Sequence, residues 1–379
     1  MDRRSFVRGT GAGVALGCAS AVHAAFEPGA VADTINIGQS AVLSGTLGPS
    51  VQLMQAGARL VFDEVNAQGG IADRKLKLIP LDDAFDPAKA QANYQTLIQK
   101  HNVLACFCGV GAAATLAGLG PLRASGTPLV GATAVVDSVR DKSEGVAYYT
   151  RASQQREARA LVRHLATVGI QRIAVGHIGT PGGEEVLSQV KDAAAKSNIT
   201  VVGAVPVAPD ASNTAAAGKS LAQLQAQAVI LYLTAAPAAA LVQAVWASGA
   251  APSFYGMSIL AGEVAAKLLG EKSRGIAISQ VTPYPWDGAE ADAIRYRQSA
   301  EKAKVPVGYH SYEGYISARV LVQAIRLAGR DPTRAGLHAS LRRLRTRVAT
   351  LDVDFSSGRT TGVEFVELVQ VRSDGRYVR

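Results

Sequence analysis

The sequence predicts an α/β fold made of two doubly wound, Rossmann-like lobes. Strand-like and helix-like segments alternate along the chain, which is typical of parallel sheets built from right-handed βαβ units. The length of 379 residues exceeds what one hydrophobic core supports. It suits two lobes of about 150 residues each. The run from Asp63 to Pro87 holds a helix end, a turn, a strand and a polar loop, and so represents one βαβ step.

This run also indicates where a ligand crevice lies. Its helix is marked by apolar residues at three- and four-residue spacing, namely Met54, Ala58, Val61 and Val65. The helix ends at Gly69-Gly70, where positive φ carries no Cβ penalty. Asp82, Asp83 and Asp86 follow the next strand, at the end where open α/β sheets bind ligands. They could be acid/base groups or metal ligands, but the helix start at Pro87 favours capping and loop ordering.

The other predicted elements repeat the βαβ pattern in two halves, 33–150 and 151–281. Strands are predicted near 35–42, 75–81, 103–108, 128–131, 172–177, 200–206, 228–233, 253–257 and 275–280. Helices follow at 288–304, 311–329 and 333–345, with short strands at 350–355 and 363–371. These last elements do not form a third sheet.

The first 24 residues are interpreted as an export signal of the twin-arginine type. Arg3 and Arg4 precede an apolar, Gly/Ala-rich run that is too short for a permanent membrane anchor. Cleavage after Ala24 satisfies the small-residue rule, so the mature protein is expected in the periplasm. The alternative is a lipoprotein attached through Cys18.

The net charge of +9 does not predict a nucleic-acid partner. Basic residues are spread along the chain, and the one cluster has no interleaved aromatic residues. That cluster consists of Arg342, Arg343, Arg345 and Arg347. It is interpreted as a solvated face.

A dinucleotide fingerprint, G-x-G-x-x-A, occurs at 109–114 between a predicted strand and a helix. No Asp or Glu lies about 20 residues on, near Val130, to bind a ribose. The turn is better interpreted as a helix N-terminus whose backbone N–H groups bind a small carboxylate. No cofactor is therefore expected. The histidines show no metal spacing, and no nucleophile has a flanking signature, so no catalytic set is predicted.

Several segments resemble the leucine/isoleucine/valine-binding proteins, the periplasmic receptors of branched-chain amino-acid ABC importers. The segments are the 63–87 run, 35–45 (INIGQSAVLSG), 148–157 (YYTRASQQRE), 254–260 (FYGMSIL), 280–285 (QVTPYP), 311–315 (SYEGY) and 353–379. They occur in the family's order over nearly the whole mature chain. The resemblance implies a type I periplasmic binding protein with a three-strand hinge. It implies one lobe from 33–150 plus 283–348 and another from 151–282 plus 349–379.

The resemblance also assigns ligand-binding roles to loops that follow strands. On the first lobe it points to Ser44, to Gly111 and Ala112 in a carboxylate-binding turn, and to Gly131 and Thr133 in the next loop. Ala112 replaces the family's usual Ser or Thr, which leaves backbone donors only. On the second lobe it points to Ala235 and Ser258, and Tyr284, in the segment 283–348, is a further ligand-binding candidate.

Ser258 stands where the family commonly has a Glu that neutralises the ligand's α-ammonium. Burying an ammonium without a compensating acid costs several kcal/mol. Two hypotheses follow: the ligand lacks an α-amino group, or Glu313 or Asp82 supplies the charge. Gly182 replaces an aromatic cover, and candidate aromatic walls are Tyr149, Tyr284, Trp286 and Tyr315.

The function implied is an extracytoplasmic receptor that binds an amino acid or a related small carboxylate. It would close its lobes on the ligand, as a monomer, and deliver it to an ABC permease in the inner membrane without catalysing a reaction. The alternatives are an exported nicotinamide-dependent oxidoreductase and a ligand-sensing module of the same fold. The family's better-known disulfide cannot form because Phe85 occupies one of its positions. Cys106 and Cys108 are expected to be buried thiols on one face of a strand.

Overall fold

The computed structural model describes residues 30–31, 33–45, 47–356, 358–372 and 376–379. The predicted export signal, with Cys18 and Ala24, lies outside these residues. Within them, no helix combines the length and the hydropathy needed to span a bilayer.

The first lobe is built on a sheet in the order β3-β2-β4-β5-β6, and all these strand pairs are parallel. A short strand β1 (Ala30–Val31) adds an antiparallel pair to the start of β2. The parallel strands are β2 (Thr34–Ala41), β3 (Lys75–Asp82), β4 (Ala105–Phe107), β5 (Leu129–Val130) and β6 (Ala147–Tyr148). The helices that connect them are α1 (Gly48–Ala67), α2 (Pro87–Gln99), α3 (Ala112–Ser125) and α4 (Asp137–Lys142).

The second lobe contains five parallel strands in the order β8-β7-β9-β10-β11, with two antiparallel strands, β14 and β15, beside β11. The strands are β7 (Arg172–Ile178), β8 (Thr200–Val207), β9 (Ala228–Tyr232), β10 (Ser253–Gly256), β11 (Ala277–Gln280), β14 (Glu367–Val371) and β15 (Tyr377–Val378). The helices are α5 (Gln154–Thr167), α6 (Pro181–Lys196), α7 (Thr214–Gln223), α8 (Ala235–Ala247) and α9 (Gly262–Leu269). The prediction of two doubly wound α/β lobes is confirmed.

Three further helices and a hairpin return to the first lobe. They are α10 (Ala291–Lys302), α11 (Tyr309–Leu327), α12 (Arg334–Arg343) and the β12–β13 hairpin (Arg345–Val348 and Leu351–Asp354). Helices α1 and α11 approach closely at two glycines. A Cβ at Gly57 would lie 1.7 Å from the Ser311 carbonyl oxygen, and one at Gly314 would lie 1.9 Å from that of Met54. Only glycine fits at this crossing.

The third crossing between the lobes falls later than the sequence-based boundary at 348/349. Leu351, Val353, Phe355 and Val363 pack in the same buried cluster as Ile35 of β2. In the hairpin, apolar residues alternate with polar ones, so the side chains of Leu351 and Val353 lie on the face toward the first lobe. Among the elements after this hairpin, β14 and β15 join the second sheet.

Two of the crossing segments are hydrogen-bonded to each other at the hinge. The Tyr149 N–H donates to the Thr360 carbonyl at 2.7 Å, and the Gly362 N–H donates to the Tyr149 carbonyl at 3.0 Å. Tyr149 and Thr361 therefore form a parallel bridge.

Cys106 and Cys108 are free and fully buried. They do not share one face, because Cys108 has φ +46° and lies beyond the end of β4. Cys106 packs in the cluster of Leu97, and Cys108 packs in that of Phe62. Burial raises the pKa of Cys106 to about 12, so its thiol stays protonated at neutral pH.

A partly buried histidine is expected to make the stability of the first lobe depend on pH. His338 of α12 hydrogen-bonds the Tyr148 hydroxyl through Nδ1 at 2.9 Å. Burial, and then the charge of Arg342, lower the pKa of His338 from 6.5 to about 4. A histidine with a lowered folded-state pKa contributes stability above its unfolded pKa, and that contribution is lost as the pH falls through the folded value.

We therefore expect the urea midpoint of unfolding to fall between pH 6.5 and pH 4. His338→Asn should remove much of this fall, because the asparagine side chain does not titrate and therefore takes up no proton on unfolding. His101→Asn, which changes a partly exposed loop residue, should leave it in place. Equal pH dependence in the wild type and in His338→Asn would contradict this assignment.

Candidate functional site

The segments that follow strands in one lobe meet those of the other lobe. Ser138, after β5, donates its N–H to Oε1 of Glu185 on α6 at 2.9 Å. The Tyr309 N–H, at the start of α11, donates to Oε1 of Glu263 on α9 at 2.8 Å. Ligands of open α/β sheets bind at the carboxyl ends of strands. The crevice between the two lobes is therefore the candidate binding site.

On the first lobe, α3 begins directly after β4 with free backbone donors. Gly111 has φ +95° and no side-chain cap, and the N–H groups of residues 112–114 have no partner among the described residues. The Gly111 N–H itself donates to the Thr133 carbonyl at 3.0 Å. In the predicted carboxylate-binding turn, the Ala112 N–H is therefore available to a ligand, whereas the Gly111 N–H is already hydrogen-bonded to a carbonyl. An open helix N-terminus of this kind attracts anions.

The next loop adds a hydroxyl beside this turn. Val110 and Thr133 form a parallel bridge, which fixes the two turns side by side. Thr133 is 4% exposed, and its hydroxyl has no protein hydrogen bond in the described part of the chain. Gly131, with φ +73°, lies against Ser317 and orders the loop. Its N–H donates to the Tyr148 carbonyl.

Ser44 lies in the exposed loop after β2, next to Leu43, whose N–H donates to Oδ1 of Asp82 at 2.9 Å. The Ser44 hydroxyl and the Leu43 amide hold the pKa of Asp82 below its usual value. Asp83 accepts the Phe85 N–H, and Asp86 caps α2 through the Ala88 and Lys89 amides. The interpretation of these aspartates as capping and loop-ordering residues is confirmed. No cluster in the described residues has the composition of a metal site.

On the second lobe, α8 begins after β9 in the same way as α3. Thr234 precedes the helix without capping it, and the N–H groups of Ala235 and Ala236 have no partner in the described ranges. Ala235 is thus placed to offer a backbone donor from the opposite lobe. Gly182, in the first turn of α6, offers no side chain to the crevice.

Ser258 belongs to a buried charged cluster, which we call the Arg151 cluster, formed by Arg151, Glu157, Ser258, Ser279 and Glu313. Glu157 accepts the Ser258 N–H at 2.8 Å, the Ser258 hydroxyl at 2.9 Å and the Ser279 hydroxyl at 2.7 Å. Arg151 lies 3.4 Å from Glu157 and 2.9 Å from Glu313, and it also contacts the Ser258 hydroxyl. The carboxylate near Ser258 is therefore supplied by Glu157, which was not among the sequence-based candidates.

The Arg151 cluster joins both lobes. Glu313 lies on α11 of the first lobe, Glu157 on α5 of the second, and Arg151 in the first hinge segment. Burial favours a neutral Arg151, but Glu313 and Glu157 raise its pKa above the usual value, so it stays charged. Its Nε is buried without a partner among the described residues.

A second arginine, Arg140 of α4, fixes the hinge. It donates to the carbonyl oxygens of Val135, Arg151 and Ala152 at 3.0–3.2 Å, and to the Thr361 hydroxyl at 2.9 Å. Its guanidinium lies 4.4 Å from the centroid of the Tyr149 ring. Burial, and then the charge of Arg151, lower the pKa of Arg140 to about 10. It therefore remains a cation at neutral pH.

The four candidate aromatic walls are engaged in packing. Tyr149 is fully buried below Arg140, and Tyr315 is fully buried against Tyr296. Trp286 packs between Tyr284 and Tyr377. The Tyr284 hydroxyl donates to the Tyr377 carbonyl at 3.1 Å. Tyr284 thus lies against β15 of the second lobe.

Two α/β lobes, joined by hydrogen-bonded crossing segments and each with an uncapped helix start after a strand, define the architecture of a two-lobed binding protein. A family model described as periplasmic binding protein matches residues 34–376, and the chain belongs to that family. The recognition from sequence motifs and the type I fold are therefore confirmed. None of the curated proteins searched matches the sequence.

Solved structures agree with this membership. A substrate-binding periplasmic protein from Ralstonia solanacearum is 27% identical, with a TM-score of 0.85 over 91% of this chain and 99% of that one. A solute-binding protein of an R. palustris ABC transporter, in complex with benzoate, is 21% identical, with a TM-score of 0.80 over 91% and 95%. A Thermus thermophilus branched chain amino acid ABC transporter protein with bound valine is 15% identical, with a TM-score of 0.81 over 91% and 95%.

Proposed function

We propose that this protein is the periplasmic receptor of an ABC importer and binds a small carboxylate between its lobes. The observation that carries the proposal is the pair of open helix N-termini, α3 on one lobe and α8 on the other. Donors from both lobes reach one ligand together only when the lobes close, so the ligand stabilises the closed form. The closed monomer then delivers the unaltered ligand to a permease in the inner membrane. No bond is made or broken.

We further propose that the ligand lacks an α-ammonium group. Glu157 already accepts three hydrogen bonds and the charge of Arg151, and Glu313 pairs with Arg151. A buried ligand ammonium would therefore meet carboxylates that are already paired, whereas a ligand carboxylate would be met by the free N–H groups of α3 and α8. Asp82 is exposed and orders its own loop. An aliphatic or aromatic acid fits this arrangement, and the benzoate complex of the R. palustris protein supports the choice.

Thermal-shift screening of the mature protein tests this proposal. Benzoate and isovalerate should raise the melting temperature, whereas leucine and valine should have little effect, because a ligand that binds the folded state stabilises it by mass action. Chromatography of the incubated acid should recover it unchanged. A strong shift by leucine or valine alone would contradict the ammonium-free ligand. Conversion of the acid would contradict the receptor function.

Removal of one backbone donor at α3 should weaken binding. Ala112→Pro deletes the free N–H at the first helical position, where proline is tolerated in the helix. Hydrogen bonds to charged groups contribute about 1.5–3 kcal/mol, so we expect affinity for benzoate to fall about 10- to 100-fold by calorimetry.

The matched control is Ala291→Pro, because Ala291 is the exposed first residue of another helix of the first lobe, α10. It should bind benzoate like the wild type. If Ala112→Pro bound benzoate with the affinity and melting temperature of the wild type, the α3 turn would not be part of the binding site.

A further inference from the structure

Phe85 is a large apolar side chain held in an exposed position beside the α3 turn. It lies in the loop after β3 and is 43% exposed. A Cβ placed on Gly111 would lie 2.9 Å from the ring carbon Cε2 of Phe85, so the ring edge fills the space against this glycine. Gly111 immediately precedes the free N–H groups of α3. Part of the Phe85 side chain remains open to solvent.

The backbone that presents this ring is strained and fixed. Ala84 and Phe85 have φ +51° and +62°, a left-handed conformation that non-glycine residues rarely adopt. The Ala84 N–H donates to Asp82 at 2.9 Å, and the Phe85 N–H donates to Asp83 at 3.0 Å. Asp83 is fully buried and accepts the Ser40 hydroxyl at 3.0 Å. Backbone strain persists only where the surroundings impose it, and such positions cluster at functional sites.

The position of Phe85 separates it from the other exposed apolar residues. Val168, Leu268 and Leu327 are also exposed, but they lie at helix ends, and the exposed Val378 lies in β15. Leu116 lies one turn into α3 and is 44% exposed. Among these residues, Phe85 is the one that touches the turn from which the free N–H groups of α3 project.

We propose that Phe85 contacts the ligand and determines a preference for flat, aromatic acids. With the ligand carboxylate at the α3 N-terminus, the open face of the ring packs on the ligand's apolar body. Aromatic pairs gain stability from offset or edge-to-face contact in addition to the area they bury. This inference rests on the proposed function, because it places a carboxylate at α3.

The test compares benzoate with isovalerate by titration calorimetry in the wild type, Phe85→Ala and Phe85→Leu. Loss of a half-exposed ring contact should weaken benzoate binding about 10-fold in Phe85→Ala. Isovalerate binding should weaken less. Phe85→Leu keeps an apolar side chain of similar reach without the flat ring, so it should lose the preference for benzoate while binding isovalerate almost as the wild type does.

The matched control is Leu116→Ala, which removes an equally exposed side chain from the same region and should bind both acids as the wild type does. Melting temperatures without ligand establish that each variant is folded. If the wild type binds benzoate and both Phe85 variants bind it equally well, the role of Phe85 is overturned and the proposed function stands. If the wild type binds neither acid, the proposed function fails, and the role of Phe85 fails with it.

Discussion

Replacing Arg151 by methionine is expected to lower the free energy of unfolding by about 3–5 kcal/mol. Arg151 is 3% exposed and lies between two buried carboxylates, Glu157 and Glu313. The substitution removes the cation and leaves two like charges together in a medium of low polarity. Breaking a buried ion pair by removing one partner is costly for this reason, even where the intact pair adds little net stability.

Urea unfolding at pH 7 measures this effect. The control is Arg156→Met, because the Arg156–Glu364 pair is about half-exposed and such pairs contribute about 0–1 kcal/mol. The double variant Arg151→Met with Glu313→Leu should recover part of the loss, since one of the uncompensated charges is then also removed. A loss in Arg151→Met no larger than that in Arg156→Met would contradict the Arg151 cluster as described.

Replacing Arg140 by methionine is expected to destabilise the protein by about 3 kcal/mol or more, because it leaves buried acceptors unsatisfied. Arg140 is 1% exposed and binds three carbonyl oxygens and one hydroxyl. Two of the carbonyls, those of Arg151 and Ala152, belong to the first hinge segment, and Thr361 belongs to the third. The substitution therefore loosens both segments at once.

The effect should be measured by urea unfolding and by benzoate titration in the same variant. Arg140→Lys should be nearly as destabilising, because one ammonium cannot satisfy acceptors arranged around a planar guanidinium. The control is Arg123→Met, which removes an exposed guanidinium of the same lobe that donates to one carbonyl. If Arg140→Lys were as stable as the wild type, the positive charge alone, and not the planar set of guanidinium N–H donors, would hold the hinge segments together.

Local sequence patterns were enough to predict the sheets and their connections. A buried strand such as β9 is an apolar run between polar turns, and the loop after β3 is marked by Asp82, Asp83 and Asp86. The short strands β1, β6, β12 and β15 were missed, because runs of two to four residues carry no periodic signal.

The candidate site was predicted less completely. The sequence indicated which positions follow strands. Whether the N–H at each position is free depends on hydrogen bonds to distant turns, such as the one between Gly111 and Thr133. The Arg151 cluster could not be derived, since Ser258 lies 101 positions from Glu157 and Glu313 lies 162 from Arg151. The one available signal was the presence of Arg151 and Glu157 in the 148–157 motif, beside a hinge where burial is expected.

Small-angle scattering of the mature protein with and without saturating benzoate tests the central claim most directly. The account predicts a smaller radius of gyration and a more compact profile with benzoate, because the ligand joins the α3 and α8 N-termini of the two lobes. The same change should be smaller in Ala112→Pro at a benzoate concentration that only just saturates the wild type. Superimposable profiles for the free and benzoate-saturated wild type, at a concentration where calorimetry shows full binding, would contradict closure of the lobes on the ligand.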